Sequence, residues 1–211
     1  MSTAARAPRR ASGAPANRVR IIGGVWRSRV LRFADRPGLR PTPDRVRETV
    51  FNWLGQELTG RSVLDLYAGS GALGFEAASR DARRVVLVER DPAAMQSLRE
   101  NAALLGARQV EVARSDALEF LRRSSETFDV VFLDPPFADA RWDELYAAMA
   151  RRLAPGGLLY CESGAPLAPP AGWTVHRSGR AGQVTYGLLK RTADESHCGV
   201  PGDLRPDHAG P

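Results

Sequence analysis

Val63-Leu64-Asp65-Leu66-Tyr67-Ala68-Gly69-Ser70-Gly71-Ala72-Leu73-Gly74-Phe75-Glu76-Ala77 starts as an apolar run, breaks at two glycines and resumes with small and apolar residues. It reads as strand, glycine turn and helix. Gly69 and Gly71 permit positive φ and close backbone approach, and Gly74 lets the helix lie tightly on the sheet. The spacing satisfies Gly-x-Gly-x-x-Gly, which a dinucleotide site would also show. Three acids narrow the choice. Glu89 ends the next apolar run, Val85-Val86-Leu87-Val88, where a carboxylate can bind the two hydroxyls of a ribose. Asp116 follows Val110-Glu111-Val112-Ala113 and is placed to touch an adenine amino group. Asp65 precedes the glycine turn, where a carboxylate would repel a diphosphate and better suits the cationic amino group of a methionyl moiety. With Tyr67, Ser70 and Ala117 beside them, these residues form the expected cofactor site.

Asp134-Pro135-Pro136-Phe137 follows the apolar run Val130-Val131-Phe132-Leu133. In an open α/β sheet, ligands bind beyond the carboxyl ends of the strands, and Asp134 projects there. Pro135 lacks an N–H, and Pro136 pushes it into an extended conformation, so carbonyls here stay free to accept hydrogen bonds. Asp134 and a proline carbonyl can take the two N–H bonds of a planar amine while Phe137 stacks on its ring. The competing reading is an ordinary strand exit with Phe137 in the core.

Together these residues resemble the S-adenosylmethionine-dependent methyltransferases of the Rossmann-like class. Arg20-Ile21-Ile22-Gly23-Gly24-Val25-Trp26-Arg27-Ser28-Arg29, the stretch from Gly38 to Leu54, the Asp134 tetrad and Ala181-Gly182-Gln183-Val184-Thr185-Tyr186 are similar to the bacterial 16S ribosomal RNA guanine-N2 methyltransferase family. The resemblance runs from about Arg18 to Arg191. It implies methyl transfer from S-adenosylmethionine to the exocyclic amine of one guanine, in 16S RNA within the small subunit or an assembly intermediate. It also implies a mostly parallel seven-stranded sheet with one antiparallel strand, preceded by a small hairpin and helix over residues 18–57. The proline-rich segment after Glu162 is short for the family, and residues 1–17 and 192–211 have no counterpart in it.

A chain of 211 residues with 43% hydrophobic content suits one domain with a sizeable core. Its formal charge of +6 and pI near 10.1 favour a polyanionic partner, RNA or DNA. Arginine supplies nearly all of that basicity, with Lys190 the single lysine, a bias that genome composition also produces. No stretch is long enough to span a membrane, and Cys161 and Cys198 form neither a disulfide framework nor a metal motif. A cytoplasmic, monomeric, metal-free protein is expected. Residues 1–17 read as a disordered basic arm in preference to a targeting peptide, because Pro8 and Pro15 interrupt any amphipathic helix. Residues 192–211 read as a solvated tail; the spacing of His197, Cys198 and His208 matches no usual metal site.

Val19-Arg20-Ile21-Ile22 and Val30-Leu31-Arg32-Phe33 read as a hairpin carrying arginines. Thr42 is expected to cap a helix with Pro43 at its first position. Strand-helix repeats then predict strands near 62–67, 84–89, 109–114 and 129–134, and helices near 72–80, 92–105, 117–123 and 141–153. A fifth strand, Leu158–Cys161, follows a Pro155-Gly156-Gly157 turn, and a closing hairpin ends the sheet. Arg27, Arg29, Arg40 and Arg45 are the expected RNA-phosphate contacts, and Trp26 is a candidate base or ribose contact. His176 reads as structural. An adenine-N6 methyltransferase, which the same tetrad would serve, and a cofactor-binding ribosome-assembly factor are the alternatives; a nicotinamide oxidoreductase leaves Asp65 and the proline pair unexplained.

Overall fold

The computed structural model describes residues 17–34, 41–136 and 141–192. In chain order the elements are β1 (Asn17–Arg20), β2 (Val30–Phe33), α1 (Asp44–Leu54), β3 (Ser62–Asp65), α2 (Ala72–Ser79), β4 (Arg84–Glu89) and α3 (Pro92–Leu105). They continue with β5 (Val110–Arg114), α4 (Ala117–Arg123), β6 (Phe128–Leu133), α5 (Trp142–Met149), β7 (Leu153–Ser163), β8 (Trp173–Ala181) and β9 (Val184–Arg191). Strands β3 to β9 form one sheet in the order β5-β4-β3-β6-β7-β9-β8. The β3–β4, β3–β6, β4–β5 and β6–β7 pairs are parallel, and β9 runs antiparallel to both β7 and β8. One antiparallel strand in an otherwise parallel sheet is what the resemblance implied. The chain steps from β3 outward to β4 and β5, then returns to β6 on the other side of β3. That reversal is the switch point at which open α/β sheets bind ligands.

Parallel strands covered on both faces read as continuous apolar runs. Here the alternation of side chains sends Val63, Phe132 and Tyr160 to the face packed by α1, α2, α3 and the hairpin. It sends Leu64, Val131, Leu133 and Leu159 to the face packed by α4 and α5. Asp65, two residues beyond Val63, belongs to the first face and meets α2 through the Gly74 N–H.

Four local expectations are corrected. The hairpin pairs Asn17–Arg20, not Val19–Ile22, with β2, so the ordered domain already includes Asn17. Ile22 leaves the ladder because its N–H, like that of Gly23, is taken by the Glu76 carboxylate at 2.8 and 2.7 Å. Pro43, not Thr42, occupies the N-cap of α1, with no side-chain cap bond; the Thr42 hydroxyl turns instead to Glu162. The Pro155-Gly156-Gly157 turn lies inside β7 as a bulge, between the pairs Phe128–Leu153 and Val130–Leu158. Because Leu153 already pairs with β6, α5 stops at Met149 rather than near residue 153.

A buried charge cluster holds the hairpin and α1 on the domain. Glu76, in α2, is fully buried and also accepts from Arg47 Nη1 at 3.1 Å and Arg80 Nε at 3.0 Å. Arg47, equally buried, donates to the carbonyls of Thr42 and Arg20 and to Asp44. Ser79 completes the clamp: its carbonyl accepts from Val25 N, its Oγ accepts from Trp26 N, and its hydroxyl donates to Gly23 O. A buried carboxylate persists only when its acceptor sites are filled, and four donors fill these.

Candidate active site

The glycine turn sits at the carboxyl end of β3. Gly71 caps α2 with φ 77°, and a Cβ there would come within 2.6 Å of Phe75 and 2.7 Å of Leu98. At Gly74 a Cβ would come within 2.1 Å of Leu87 on β4, which is the close helix-sheet contact anticipated for this glycine. Glu89, ending β4, receives the Gly69 N–H on Oε2 at 3.0 Å and the Asp91 N–H on Oε1 at 2.9 Å. It thereby ties the turn to the start of α3 while each oxygen keeps a lone pair for a further donor. Asp116 caps α4 through Oδ1, which accepts from Leu118 and Glu119 N–H, and Oδ2 accepts no hydrogen bond among the described residues. Tyr67, Ser70 and Ala117 flank the same edge; the Ser70 hydroxyl accepts the Ala72 N–H. Asp65 is buried and receives the Gly74 N–H on Oδ2 at 3.0 Å. Burial pushes its carboxyl up to about 7; the Gly74 bond opposes that rise and the Glu89 charge adds to it.

Asp134 follows the last residue of β6, with Pro135 buried and Pro136 exposed beyond it. The final pair between β6 and β7 is Leu133–Cys161, so Asp134 and Glu162 occupy the next position on neighbouring strands. Alternation carries both to the face of Phe132 and Tyr160, which is also that of Asp65. Three acids thus line adjacent strand ends at the switch point. Burial raises the Asp134 carboxyl to about 8, and the nearby Glu162 and then Asp65 charges contribute to the rise. Glu162 is half-buried, and its Oε1 accepts from Tyr160 Oη at 2.6 Å and Thr42 Oγ1 at 3.3 Å. Sequence reading passed over Glu162, although it ends an apolar run as Glu89 does and Asp134 nearly does. Phe137 lies outside the described residues.

The basic set divides. Arg27 and Arg29 are exposed on the loop clamped to α2, and Arg45 is exposed in the first turn of α1. Arg40 lies outside the described residues. Trp26 is half-buried against the core. His176 is exposed on β8, the outermost strand, at a register shift between Val175 and Arg177. A hollow of about 540 Å³ opens at the opposite, N-terminal edge of the strands, but its Arg84 is already paired with Glu111 and Glu126. Among the described residues no group of His, Cys, Asp and Glu could hold a metal ion, and no helix is long and apolar enough to cross a membrane.

The family described as conserved hypothetical protein 95 matches residues 19–190. Ribosomal RNA small subunit methyltransferase D of Escherichia coli K12 is 46% identical over 181 residues, covering 83% of this chain and 91% of that protein. The Haemophilus influenzae protein of the same name is 41% identical, covering 82% and 93%. Among solved structures, yhhF from Escherichia coli superposes with a TM-score of 0.75 at 45% identity, over 83% of this chain and 98% of that one. An RNA methyltransferase from Salinibacter ruber, solved with S-adenosyl-L-homocysteine, shares the fold at a TM-score of 0.58 and 22% identity, over 79% and 100%. The match of family and relatives over nearly all of the described domain makes this chain a member of the ribosomal RNA small subunit methyltransferase D family.

Proposed function

We propose that the chain transfers the methyl group of S-adenosylmethionine to the exocyclic N2 of a guanine in 16S ribosomal RNA. The substrate is the small subunit or an assembly intermediate, in the cytoplasm. The observation that carries this reading is Asp134 beside Asp65 at the switch point, followed by a proline pair that offers carbonyls without a competing N–H. The acceptor set suits the cofactor. Asp65 Oδ1, free of hydrogen bonds among the described residues, faces a cationic amino group; Glu89 takes ribose hydroxyls; Asp116 Oδ2 takes the adenine amine. When bound, S-adenosylmethionine supplies an electrophilic methyl on a sulfonium.

Guanine N2 is a poor nucleophile because its lone pair is delocalised into the ring. Asp134 and the Pro135 carbonyl accept its two N–H bonds and turn the lone pair toward the methyl carbon. As the new N–C bond forms and the methyl–sulfur bond breaks, its electron pair staying on sulfur, positive charge gathers on nitrogen and the Asp134 carboxylate stabilises it. A group with a pKa near 8 in the free site then takes the surplus proton readily. Phe137 stacks on the base, which must be unpaired or flipped out to enter. Arg27, Arg29, Arg40 and Arg45 hold the flanking phosphates. The test is labelled methyl transfer to small subunits, free 16S RNA and DNA, with mass mapping of the product. N2-methylguanine in the subunit supports the reading; N6-methyladenine, or cofactor binding without transfer to any substrate, overturns it.

A further inference from the structure

Asp134 and the Pro135 carbonyl define an amine, but guanine, adenine and cytosine all carry one. The bases differ at the ring nitrogen beside it, which is a donor in guanine and an acceptor in adenine. Resting on the guanine-N2 reading above, we propose that Glu162 accepts the N1–H of the target guanine and is the residue that separates it from adenine.

Three observations support this. Glu162 stands one strand away from Asp134 on the same face, and parallel neighbours lie about 4.8 Å apart, close enough for two carboxylates to take adjacent donors of one ring edge. Its orientation is fixed, because Tyr160 Oη and Thr42 Oγ1 both donate to Oε1. Tyr160 is itself fully buried, so the anchor is part of the core. Oε2 accepts no hydrogen bond among the described residues, which leaves an acceptor for a ligand. An ionised carboxylate has acceptors only. Guanine N1–H therefore gains a charge-assisted bond, whereas the lone pair of an adenine N1 meets another lone pair and is repelled. Thr42 also brings the N-terminal segment into base choice, since the residue that steadies Glu162 lies just before α1.

The experiment uses the full chain and small subunits in which the mapped target guanine is either intact or replaced by 2,6-diaminopurine. That analogue keeps the reacting amine at C2 but turns N1 into an acceptor. The wild-type protein is expected to favour guanine in kcat/KM by about 10²-fold or more, because its acceptor is left unpaired by the analogue. Glu162→Gln keeps an oxygen for Tyr160 and Thr42 and adds an amide donor for an acceptor N1. It should lose about 10- to 10²-fold on guanine and narrow the guanine preference by at least about tenfold, with cofactor affinity unchanged. A structural role alone would not move that ratio. A wild-type ratio near one, which requires no variant to fold, or a Glu162→Gln ratio equal to wild type, overturns the proposal while leaving guanine methylation intact. Absence of transfer to guanine by the wild-type protein would overturn the underlying function as well.

Discussion

Asp134 carries its proton more tightly than a solvated carboxylate because burial and two neighbouring acids disfavour its charge. Replacing it with Ala should lower methyl transfer by about 10²- to 10³-fold while calorimetry finds cofactor affinity unchanged. Wild-type transfer by a folded Asp134→Ala protein would refute its role. Asp134→Asn keeps an oxygen for one amine N–H and should retain partial activity. If the ionised form is needed to accept that bond, kcat/KM for RNA rises with pH through about 8, and this limb disappears in Asp134→Asn. Stability runs the other way. Both Asp65 and Asp134 bind protons more tightly when folded than at the unfolded value of 3.8. Their contribution is therefore fully present below about pH 4 and is lost as pH rises through about 7 and 8. Thermal denaturation should show Asp134→Asn raising the midpoint above pH 8 and leaving it unchanged below pH 4. An equal shift at both ends would contradict the assignment.

Among the elements, α2 has two duties, with the glycine turn at its N-terminus and Glu76 in its middle. Glu76→Ala leaves Arg47 and Arg80 without a buried partner and frees two hairpin N–H groups, so urea unfolding should show a loss of about 3–5 kcal/mol. A loss below about 1 kcal/mol would mean that water replaces the carboxylate without cost. Sequence periodicity made the strands legible because parallel strands buried on both faces cannot be written in many ways. The acids proposed to hold the cofactor stand out in the sequence for the same reason: each ends or closely follows an apolar run. Element ends were less legible. Thr42 has the side chain of a cap, and Pro43 that of a first helical residue, yet tertiary contacts with Glu162 and Arg47 shift both by one position. Glu76 looks in sequence like a polar residue among small helical ones, and nothing local announces that four donors converge on it.

Across the whole molecule, a formal charge of +6 favours a polyanion without saying where it binds. The exposed arginines on the clamped loop and on α1 are where that charge is open to solvent and a polyanion. Replacing Arg27 and Arg29 with Ala should weaken binding to RNA of any sequence and reduce the slope of log affinity against log salt by up to about one unit per lost phosphate contact. An unchanged slope would assign both arginines to solubility alone. The base choice was not legible at this scale or from any single motif. It depends on Glu162 lying next to Asp134, two residues 28 positions apart in the sequence that β6–β7 pairing makes neighbours.

The Ser79 and Glu76 clamp also bears on how the loop between β1 and β2 responds to heavy water. The amide hydrogens of Ile22, Gly23, Val25 and Trp26 are all bonded to α2 rather than to the loop itself. Their deuterium uptake should follow the opening of that helix, on the slow timescale of the domain's interior, even though Val25 is 68% exposed. Cofactor that steadies the N-terminus of α2 should slow uptake at these four positions as well, giving this loop a readout of whether the methyl donor is in place.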